Sequence, residues 1–500
     1  MSESTVKPFR IGMMGAGTVG GGVYEIIMGS SSSAASTNNN NNGNTTAATA
    51  VSVSDTDPRK RPMIITKILV RSIEKERDFH IDTNQTMITT DCSDTFFVNA
   101  ATKELDIDCF VEVAGGCTVA KDMMLRAIQE YNIPVITANK AALFEYNHEF
   151  IHALSSSSST TSRGIGMEAA VCGGIPIINI LQTCYVGDRI TSICGICNGT
   201  TNYILSKMAS NPQEILYEDA LQEAQQLGFA EADPTADVEG HDVRAKIALL
   251  AQLAYGIYVP IQQIPCTGIT KITANDFMIV QNSLPTKYTI KLIGRAYVTS
   301  SSSSSTSDTH TVGVYVTPML VPYSSTMASV DGCGNAVQIT STNLSSCTYM
   351  GPGAGRLPTA NSIVADLYRA INHKLPTTTT PFPKPVSYEN VSLDIVTDYV
   401  SSFYIRVEDQ SNINRMDDLT ALFLQNNVTI QKIYNPNDIV VDSAATNTNT
   451  GTTPTFYVIL TDMYPLSTIQ NTCHKIQQLI PTSVSILYLP ILPMDYGVIT

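Results

Sequence analysis

The fold of the N-terminal region is decided by Phe9-Arg10-Ile11-Gly12-Met13-Met14-Gly15-Ala16-Gly17-Thr18-Val19-Gly20. The first six residues read as a short strand, and the next six read G-x-G-x-x-G before a helix-like segment at 23–27. Glycines permit a tight turn and close backbone approach, so a pyrophosphate can rest on the helix N-terminus. The pattern predicts a dinucleotide site formed by Gly15, Gly17, Thr18, Val19 and Gly20. A glycine-rich turn in an ordinary α/β unit is the alternative.

The second predicted strand, Met63 to Val70, ends at Arg71. A site specific for NAD would carry Asp or Glu there, whereas arginine suits a ribose 2′-phosphate. Lys75 and Arg77 are candidate helpers. We therefore predict a preference for NADP, with an exposed arginine that binds no ligand as the alternative.

A further strand, helix and strand follow at 108–113, 120–131 and 133–138, and this order predicts a parallel sheet. Lys140 comes just after the last of these strands. Ligands of open α/β sheets bind beside the carboxyl ends of strands, so Lys140 is predicted to face the cleft. The alternative is a solvated lysine at a helix start.

The segment from Gly228 to Lys246 reads G-F-A-E-A-D-P-T-A-D-V-E-G-H-D-V-R-A-K. Asp233-Pro234 predicts a turn, Gly240 a second break, and His241 the start of a helix. Asp242 and Lys246 then lie one turn apart on the same helix face. The plain interpretation is a solvated acidic loop with a surface ion pair.

Two polar or small-residue turns lie between these regions. The carbonyl groups of residues 167–176 could converge on a hard monovalent cation, although most glycine-rich turns bind nothing. A strand at 190–196 leads into Asn198-Gly199-Thr200-Thr201-Asn202, predicted as a polar turn before a helix at 203–208. That turn could hold a small polar substrate or cap the helix.

Composition fits a multidomain intracellular enzyme. The 500 residues are 43% hydrophobic, enough for two or three domains. A net charge of −14 without a basic cluster argues against nucleic acid or an anionic membrane as partner. We find no membrane-spanning apolar run and no signal peptide, and the 11 scattered cysteines favour a reducing compartment, so we expect a cytoplasmic protein. Cys194 and Cys197 are interpreted as buried thiols.

Low-complexity stretches interrupt the chain and predict flexible, insertion-tolerant loops. They run from Ser30 to Ser54, Ser155 to Ser162, Ser300 to Ser307, Thr377 to Thr380 and Ala444 to Thr453.

The motifs together resemble homoserine dehydrogenase over roughly residues 9–370. They are G-A-G-T-V-G, V-E-V-A-G-G, P-V-I-T-A-N-K, E-A-A-V-C-G-G-I-P, N-G-T-T-N-Y-I-L, the long acidic segment and P-G-A-G-R-L-P-T-A-N-S, in family order. The resemblance implies NAD(P)-dependent interconversion of L-homoserine and L-aspartate 4-semialdehyde, a step toward threonine, methionine and isoleucine. It also implies a homodimer or homo-oligomer. The length leaves no room for a preceding kinase domain, so a monofunctional enzyme is expected.

The resemblance also implies roles for individual residues. Lys246 would transfer the proton, and Asp242 would be its partner and a substrate ligand. Glu231 would hold the substrate amino group, with Asp237, Gly199 and Thr200 lining the same pocket. Lys140 would contact substrate and nicotinamide, and Gly353 would contact the cofactor. The carbonyl groups of Glu168, Val171, Gly173 and Ile175 would bind a structural sodium ion.

Two positions depart from the family pattern. Ala232 replaces a common proline, but Asp233-Pro234 preserves the turn. Phe229 replaces a frequent tyrosine and removes one substrate contact.

The C-terminal region predicts the order βαββαβ, which resembles an ACT-type regulatory module. Its usual D-x-P-G turn is replaced by residues 409–414, so threonine as an effector is a hypothesis, with a structural or dimerising module as the alternative. The predicted organisation is a Rossmann-type NAD(P)-binding domain at 1–150 completed by about 351–375, an α+β catalytic and dimerisation domain at 163–350, a linker at 376–400 and an ACT-like domain at 401–500.

Two other functions compete with homoserine dehydrogenase. One is another Rossmann oxidoreductase acting on an amino-acid aldehyde, and the second is a catalytically silent amino-acid sensor. The presence of Lys140, Asp242 and Lys246 argues against the silent sensor.

Overall fold

The computed structural model describes most of the chain in two compact units. The described residues are 7–29, 61–155, 164–300, 309–373, 375, 388, 392–409, 411, 413–434, 439, 455–480 and 484–493. Apart from Ser155 and Ser300, the five low-complexity stretches lie outside them. The first unit comprises Met1–Ile180 and Ala354–Pro383, and the second comprises Leu181–Gly353 and Lys384–Thr500.

Sixteen strands and thirteen α-helices are present in the described residues. The strands are β1 Phe9–Met14, β2 Met63–Leu69, β3 Met87–Thr89, β4 Cys109–Glu112, β5 Val135–Thr137, β6 Ile165–Gly166, β7 Ile190–Ile196, β8 Tyr288–Ser300, β9 Thr309–Pro322, β10 Gly334–Ser341, β11 Ser345–Pro352, β12 Ser392–Val396, β13 Val400–Asp409, β14 Ile430–Tyr434, β15 Thr455–Pro465 and β16 Val484–Pro490. The helices are α1 Thr18–Met28, α2 Thr118–Gln129, α3 Lys140–Glu145, α4 Asn147–Ser155, α5 Ile177–Thr183, α6 Gly199–Ser210, α7 Tyr217–Gln226, α8 Thr235–Val238, α9 His241–Tyr255, α10 Ala274–Asn282, α11 Arg356–Ile371, α12 Met416–Gln425 and α13 Leu466–Leu479.

The first unit contains a parallel six-stranded sheet. Its strand order is β3-β2-β1-β4-β5-β6, and every neighbouring pair is parallel. This is the doubly wound order of dinucleotide-binding folds, with the strand order reversing beside β1. The prediction of a Rossmann-type fold is confirmed.

The turn between β1 and α1 requires glycine. Gly15 has φ +108°, and a Cβ placed there would lie 2.7 Å from the backbone nitrogen of Ala114. The loop after β1 therefore passes against the loop after β4, and only a residue without a side chain permits this approach.

Helices α1 and α11 pack together on one face of this sheet. Their buried apolar side chains join those of the central strands in one core cluster, which includes Ile11, Val23, Val111, Ile363 and Leu367. Burying each such side chain contributes roughly 1.5–3 kcal/mol. The core thus fixes the strand ends from which the glycine turn and Lys140 project.

The second unit contains another six-stranded sheet, in the order β11-β10-β7-β8-β9-β12. Its neighbouring pairs are antiparallel except β9 and β12, which are parallel. Strand β12 lies inside the segment expected to be a linker, and Tyr388 in that segment is buried with its hydroxyl bonded to the Ile190 carbonyl. Part of the expected linker is therefore an edge strand of this sheet.

The C-terminal elements follow the order β13-α12-β14-β15-α13-β16 and form an antiparallel sheet ordered β14-β15-β13-β16. This matches the expected βαββαβ order. Side chains of this sheet and of the larger sheet belong to one apolar core, and the rings of Tyr315 and Tyr399 stack with centroids 3.7 Å apart. The two sheets of the second unit are therefore held by a shared core.

Among the described residues, no helix combines the length and apolar character needed to cross a bilayer.

Candidate active site

A cleft of about 760 Å³ lies at the carboxyl ends of the strands in the first unit. It is lined by the glycine turn after β1, the loop after β2 and the glycines after β4. These include Gly15, Gly17, Arg71, Lys75, Arg77, Gly115 and Gly116. No side chain hydrogen-bonds at the Gly17 N-cap of α1, within the described residues. Thr18, Val19 and Gly20 form the first turn, so the backbone N–H groups of this helix start can donate hydrogen bonds to a phosphate oxygen.

The loop after β2 is held by Arg77. Its guanidinium donates hydrogen bonds to the carbonyl oxygens of Ser72 (2.8 Å), Ile73 (3.1 Å) and Lys75 (2.7 Å). Arg77 therefore braces the loop, while Arg71 and Lys75 are exposed on it. Of the three predicted basic residues, Arg71 and Lys75 are the ones presented to solvent at the cleft.

A buried carboxylate organises the glycine loop after β4. Glu112 accepts hydrogen bonds from the backbone nitrogens of Ala114 and Gly115, both at 2.9 Å, and from the Thr137 hydroxyl at 2.7 Å. Burial raises the pKa of Glu112, and these hydrogen bonds oppose that rise. Glu112 thus ties the ends of β4 and β5 together.

Lys140 is the first residue of α3, and Ala138 and Asn139 connect it to the end of β5. The side chain of Asn139 caps this helix by accepting from the nitrogen of Ala142, and its amide donates to the Gly116 carbonyl at 2.6 Å. Lys140 is half-buried and belongs to the first unit. Lys140 stands at a helix start, and the orientation toward the cleft expected for it stays a prediction.

Lys246 forms a close ion pair in the second unit. Its ammonium group lies 2.7 Å from Asp242 Oδ2 and donates a hydrogen bond to the Cys197 carbonyl at 2.7 Å. Both charged side chains are only 12% exposed, which reduces solvent screening of their attraction. The pair lies one turn apart on α9, as the sequence predicts.

Asn198 joins this pair to Asp237. Its Nδ2 donates to Asp237 Oδ1 at 2.7 Å and to Asp242 Oδ2 at 2.9 Å. Burial raises the pKa of Asp237, and the charge of Asp242 adds to the rise, whereas the Asn198 hydrogen bond opposes it. Two carboxylates thus accept from one amide, and one of these carboxylates also accepts from the Lys246 ammonium group.

The local structure differs here from the sequence prediction. The residues expected to form a polar turn are the N-cap and first turn of α6, which begins at Gly199 instead of Tyr203. Asn198 caps the helix, as the alternative interpretation allowed, by accepting from the Thr201 nitrogen at 2.8 Å. The short helix α8 was not predicted, because four residues are too few for a helical pattern.

Gly240 connects α8 to α9. It has φ +80°, and a Cβ there would lie 3.1 Å from Cys266 Sγ. The left-handed turn brings Asp237 and Asp242 to the same amide, which a longer connection would not ensure.

The remaining predicted substrate residues lie at the start of α6 or on the loop before α8. Thr200 donates its hydroxyl to the Phe229 carbonyl at 2.6 Å, so it holds this loop against α6. Gly199 is the first residue of α6, and Glu231 is exposed on the loop. Glu239 lies apart from them, where its carboxylate accepts from the Thr270 hydroxyl at 3.2 Å.

The predicted cation turn lies in the first unit, where residues 168–175 are buried except Gly174. The Gly173 carbonyl accepts from the Ser362 hydroxyl at 2.6 Å, and the Ile175 carbonyl accepts from the Ile177 nitrogen at 2.7 Å. Each carbonyl oxygen keeps a second lone pair, so the turn still fits an oxygen-coordinated cation. Within the described residues, no cluster of His, Cys, Asp and Glu could hold a metal ion.

Gly353 follows β11 in the second unit, where a Cβ would collide with the side chain of Asn335. Cys194 and Cys197 are buried, with exposed fractions of 5% and 0%, as predicted.

Sequence reasoning missed Glu112, the capping role of Asn139, and the contacts of Asn198 with the two carboxylates. Asn139 precedes a helix and accepts from the third residue after it, a spacing that the N-cap preference could have revealed. The contacts of both asparagines with other segments are indicated by no local pattern.

Similarity to known proteins covers the same regions. The family model described as homoserine dehydrogenase matches residues 176–368, and the model of its NAD binding domain matches residues 15–161. The homoserine dehydrogenase of Bacillus subtilis is 32% identical over 86% of this chain and 88% of its own length, and that of Neisseria gonorrhoeae is 32% identical over the same shares.

A solved structure agrees with these similarities. The crystal structure of a homoserine dehydrogenase from Thiobacillus denitrificans matches 98% of this chain and 99% of its own, with a TM-score of 0.74 and 26% identity. The chain therefore belongs to the homoserine dehydrogenase family of NAD(P)-dependent oxidoreductases that act on a CH–OH group.

Proposed function

We propose that the chain interconverts L-homoserine and L-aspartate 4-semialdehyde with NADP(H), and that Lys246 transfers the proton. The observation that carries this proposal is the position of the Lys246 ammonium group, 2.7 Å from both Asp242 Oδ2 and the Cys197 carbonyl oxygen. The reaction would serve the biosynthesis of threonine, methionine and isoleucine.

When bound, the nicotinamide would accept the hydride in the oxidation and donate it in the reduction. In the oxidation, neutral Lys246 accepts the proton of the substrate hydroxyl while hydride leaves the carbon that bears this hydroxyl. In the reduction, the Lys246 ammonium protonates the alkoxide that forms when hydride reaches the aldehyde carbon. Asp242 and the Cys197 carbonyl stabilise the ammonium form and orient it.

The acidic residues suit the ammonium group of an amino-acid substrate. Asp237 and Asp242 share one nearby lysine, so ionised carboxylates outnumber the cation in this cluster. Glu231, exposed on the preceding loop, would hold the substrate amino group directly. Gly199 and Thr200 would border the same pocket, and Lys140 would contact substrate and nicotinamide.

The preference for NADP follows from Arg71 and Lys75. Both line the cleft beside the end of β2, where the adenosine ribose of a dinucleotide binds in this fold. Their positive charges would pair with a 2′-phosphate.

A structural sodium ion would be held by the carbonyl groups of Glu168, Val171, Gly173 and Ile175. The buried turn and its neutral oxygen donors support this part of the proposal. Replacing sodium by tetramethylammonium at constant ionic strength should lower the Tm, and an unchanged Tm would count against the ion.

The direct test is homoserine-dependent formation of NADPH by the purified protein. The Lys246→Met variant should lose this activity. The matched control is Lys207→Met, since Lys207 also pairs with one acid, Glu223 at 2.9 Å, outside the site. No activity in the wild type would support the silent-sensor alternative, and equal activity in the Lys246 variant would refute the proposed role.

Threonine inhibition and a homodimer remain parts of the proposal. L-Threonine should inhibit at subsaturating homoserine while D-threonine does not, and equal activity with both would remove threonine as effector. Light scattering should give twice the chain mass, and the monomer mass would exclude the dimer.

A further inference from the structure

We propose that Asn198 is a positioning residue that holds Asp237 and Asp242 in one geometry and thereby orients Lys246. The inference rests on the proposed function and adds a residue to it. Asn198 is 5% exposed and stands at the junction of β7 and α6.

Both ends of the Asn198 side chain are occupied by protein groups. The oxygen accepts from the Thr201 nitrogen at 2.8 Å and the Thr201 hydroxyl at 2.9 Å. The nitrogen faces Asp237 and Asp242, which as carboxylates can only accept. The network therefore fixes the amide orientation, because a flipped amide would turn its oxygen toward two carboxylates.

The contact to Asp242 is shared with the proposed proton carrier. The same oxygen, Oδ2, accepts from Asn198 Nδ2 at 2.9 Å and from Lys246 Nζ at 2.7 Å. The residue before Asn198 supplies the carbonyl that accepts the other hydrogen bond from Lys246. A rotation of the Asn198 side chain would thus remove a hydrogen bond that holds the Asp242 carboxylate against Lys246.

A neutral donor is the chemistry that this position needs. Asp237 and Asp242 repel each other when both are ionised, and each amide hydrogen stabilises one of them. A lysine here would instead neutralise a charge that the substrate ammonium requires. The amide favours the ionised form of the carboxylates that it binds and holds the two together without removing their charge.

The two functions of Asn198 can be separated by substitution. Serine and aspartate cap helices about as well as asparagine, so Asn198→Ser and Asn198→Asp both retain an acceptor for the Thr201 nitrogen. Serine is too short to bridge two carboxylates. Aspartate places a third carboxylate against Asp237 on α8 and Asp242 on α9, with Lys246 as the nearby cation.

Three measurements test the role. For Asn198→Ser we expect a Tm close to that of the wild type and a loss of about 10- to 100-fold in kcat/KM, the size of one or two charge-assisted hydrogen bonds. For Asn198→Asp we expect a larger loss and an acidic limb of the pH–rate profile displaced to higher pH, because carboxylates in a cluster protonate more readily. Thermal unfolding from pH 4.5 to 8 should show that Asn198→Asp loses more stability than Asn198→Ser as pH rises.

Asn202→Ser is the matched control on the same helix. Asn202 donates to the carbonyl groups of Val330, Gly332 and Gly334 and to no carboxylate. Its substitution should lower the Tm and leave the shape of the pH–rate profile unchanged.

The outcomes distinguish the possibilities. Wild-type kcat/KM in Asn198→Ser would overturn the inference while leaving the proposed function intact. Full activity in Asn198→Asp would also overturn it, since capping alone would then explain the residue. A wild type that does not oxidise homoserine would refute the proposed function, and the unfolding comparison would still decide whether Asn198 holds the carboxylates.

Discussion

Arg406 Nε lies 3.0 Å from Asp276 Oδ1, with exposed side-chain fractions of only 2% and 0%. Arg406 is on β13, the strand next to β15 and β16 in the C-terminal sheet, and Asp276 is in the first turn of α10. The second oxygen of Asp276 accepts from the nitrogen and hydroxyl of Thr273, both at 2.8 Å. One carboxylate therefore caps α10 and binds the C-terminal sheet.

Removing the charge of Asp276 should destabilise helix α10 and the C-terminal sheet together. Asp276→Asn leaves the buried Arg406 guanidinium with Glu408, at 3.5 Å, as its carboxylate neighbour among the described residues, and breaking a buried pair costs about 3–5 kcal/mol. Because the two sheets of the second unit share a core, calorimetry should show these two sheets unfolding in one transition that moves to lower temperature. Lys475→Met, at an exposed residue of α13, should change the free energy of unfolding by less than about 0.5 kcal/mol. Separate unfolding transitions for the two sheets of the second unit, with only one of them shifted in the variant, would contradict the coupling.

Lys246→Arg should be nearly as inactive as Lys246→Met. Arginine keeps the positive charge that pairs with Asp242, but its guanidinium does not release a proton at ordinary pH. Proton transfer by a positioned side chain contributes about 10²- to 10⁴-fold, so kcat should fall by this factor in both variants. NADPH binding, followed by fluorescence, should stay within about twofold of the wild type, a factor that corresponds to roughly 0.4 kcal/mol. An active arginine variant would show that Lys246 provides charge only.

Arg71→Ala should change the choice of cofactor. Losing one charge-assisted contact to a 2′-phosphate costs about 1.5–3 kcal/mol, which raises the KM for NADP by roughly 10- to 100-fold. The KM for NAD should stay unchanged in the same variant, since NAD lacks that phosphate. Lys75→Ala should show a smaller effect in the same direction. Equal changes in the KM for NADP and in the KM for NAD would show that Arg71 does not contact the 2′-phosphate.

An element could be predicted when the residues that determine it lie close together in the sequence. Strand β1 was predicted with its observed bounds, because it is mostly apolar apart from Arg10 and the glycine-rich turn follows it directly. The start of α6 was predicted four residues late, at Tyr203 instead of Gly199. Thr201 and Asn202 resemble loop residues in sequence, but both are buried in the helix. Thr201 bonds the Asn198 side chain, and Asn202 donates to the distant Val330 carbonyl.

The same distinction applies to the site. Asp242 and Lys246 are one helical turn apart, so their pairing is visible in the sequence. Asn198 is 39 and 44 residues from its carboxylate partners, and only the folded chain brings them together. The strand β12 escaped prediction for a related reason, since its pairing with β9 joins residues far apart in sequence.

The buried Lys291 should make the free energy of unfolding depend on pH in the alkaline range. Lys291 Nζ donates to Asn202 Oδ1 (3.0 Å), the Ser206 hydroxyl (3.0 Å) and the Val330 carbonyl (2.7 Å), and its side chain is 2% exposed. Burial lowers the pKa of Lys291 from 10.5 to about 8, and the charge of Asp331 opposes this only partly. Above pH 8 the folded protein therefore holds a neutral amine where the unfolded chain still holds an ammonium group.

The sign follows from the lowered pKa. The contribution of Lys291 to stability is fully present above pH 10.5 and is lost as pH falls through about 8. Its size is about 3 kcal/mol. The free energy of unfolding of the wild type minus that of Lys291→Met, measured in urea, should therefore rise between these pH values, because other titrations cancel in the difference. Lys207→Met is the control: Glu223 raises the pKa of that exposed lysine, so its difference should not rise over the same range. A flat difference for Lys291→Met would mean that its three hydrogen bonds fully offset the cost of burying the ammonium group.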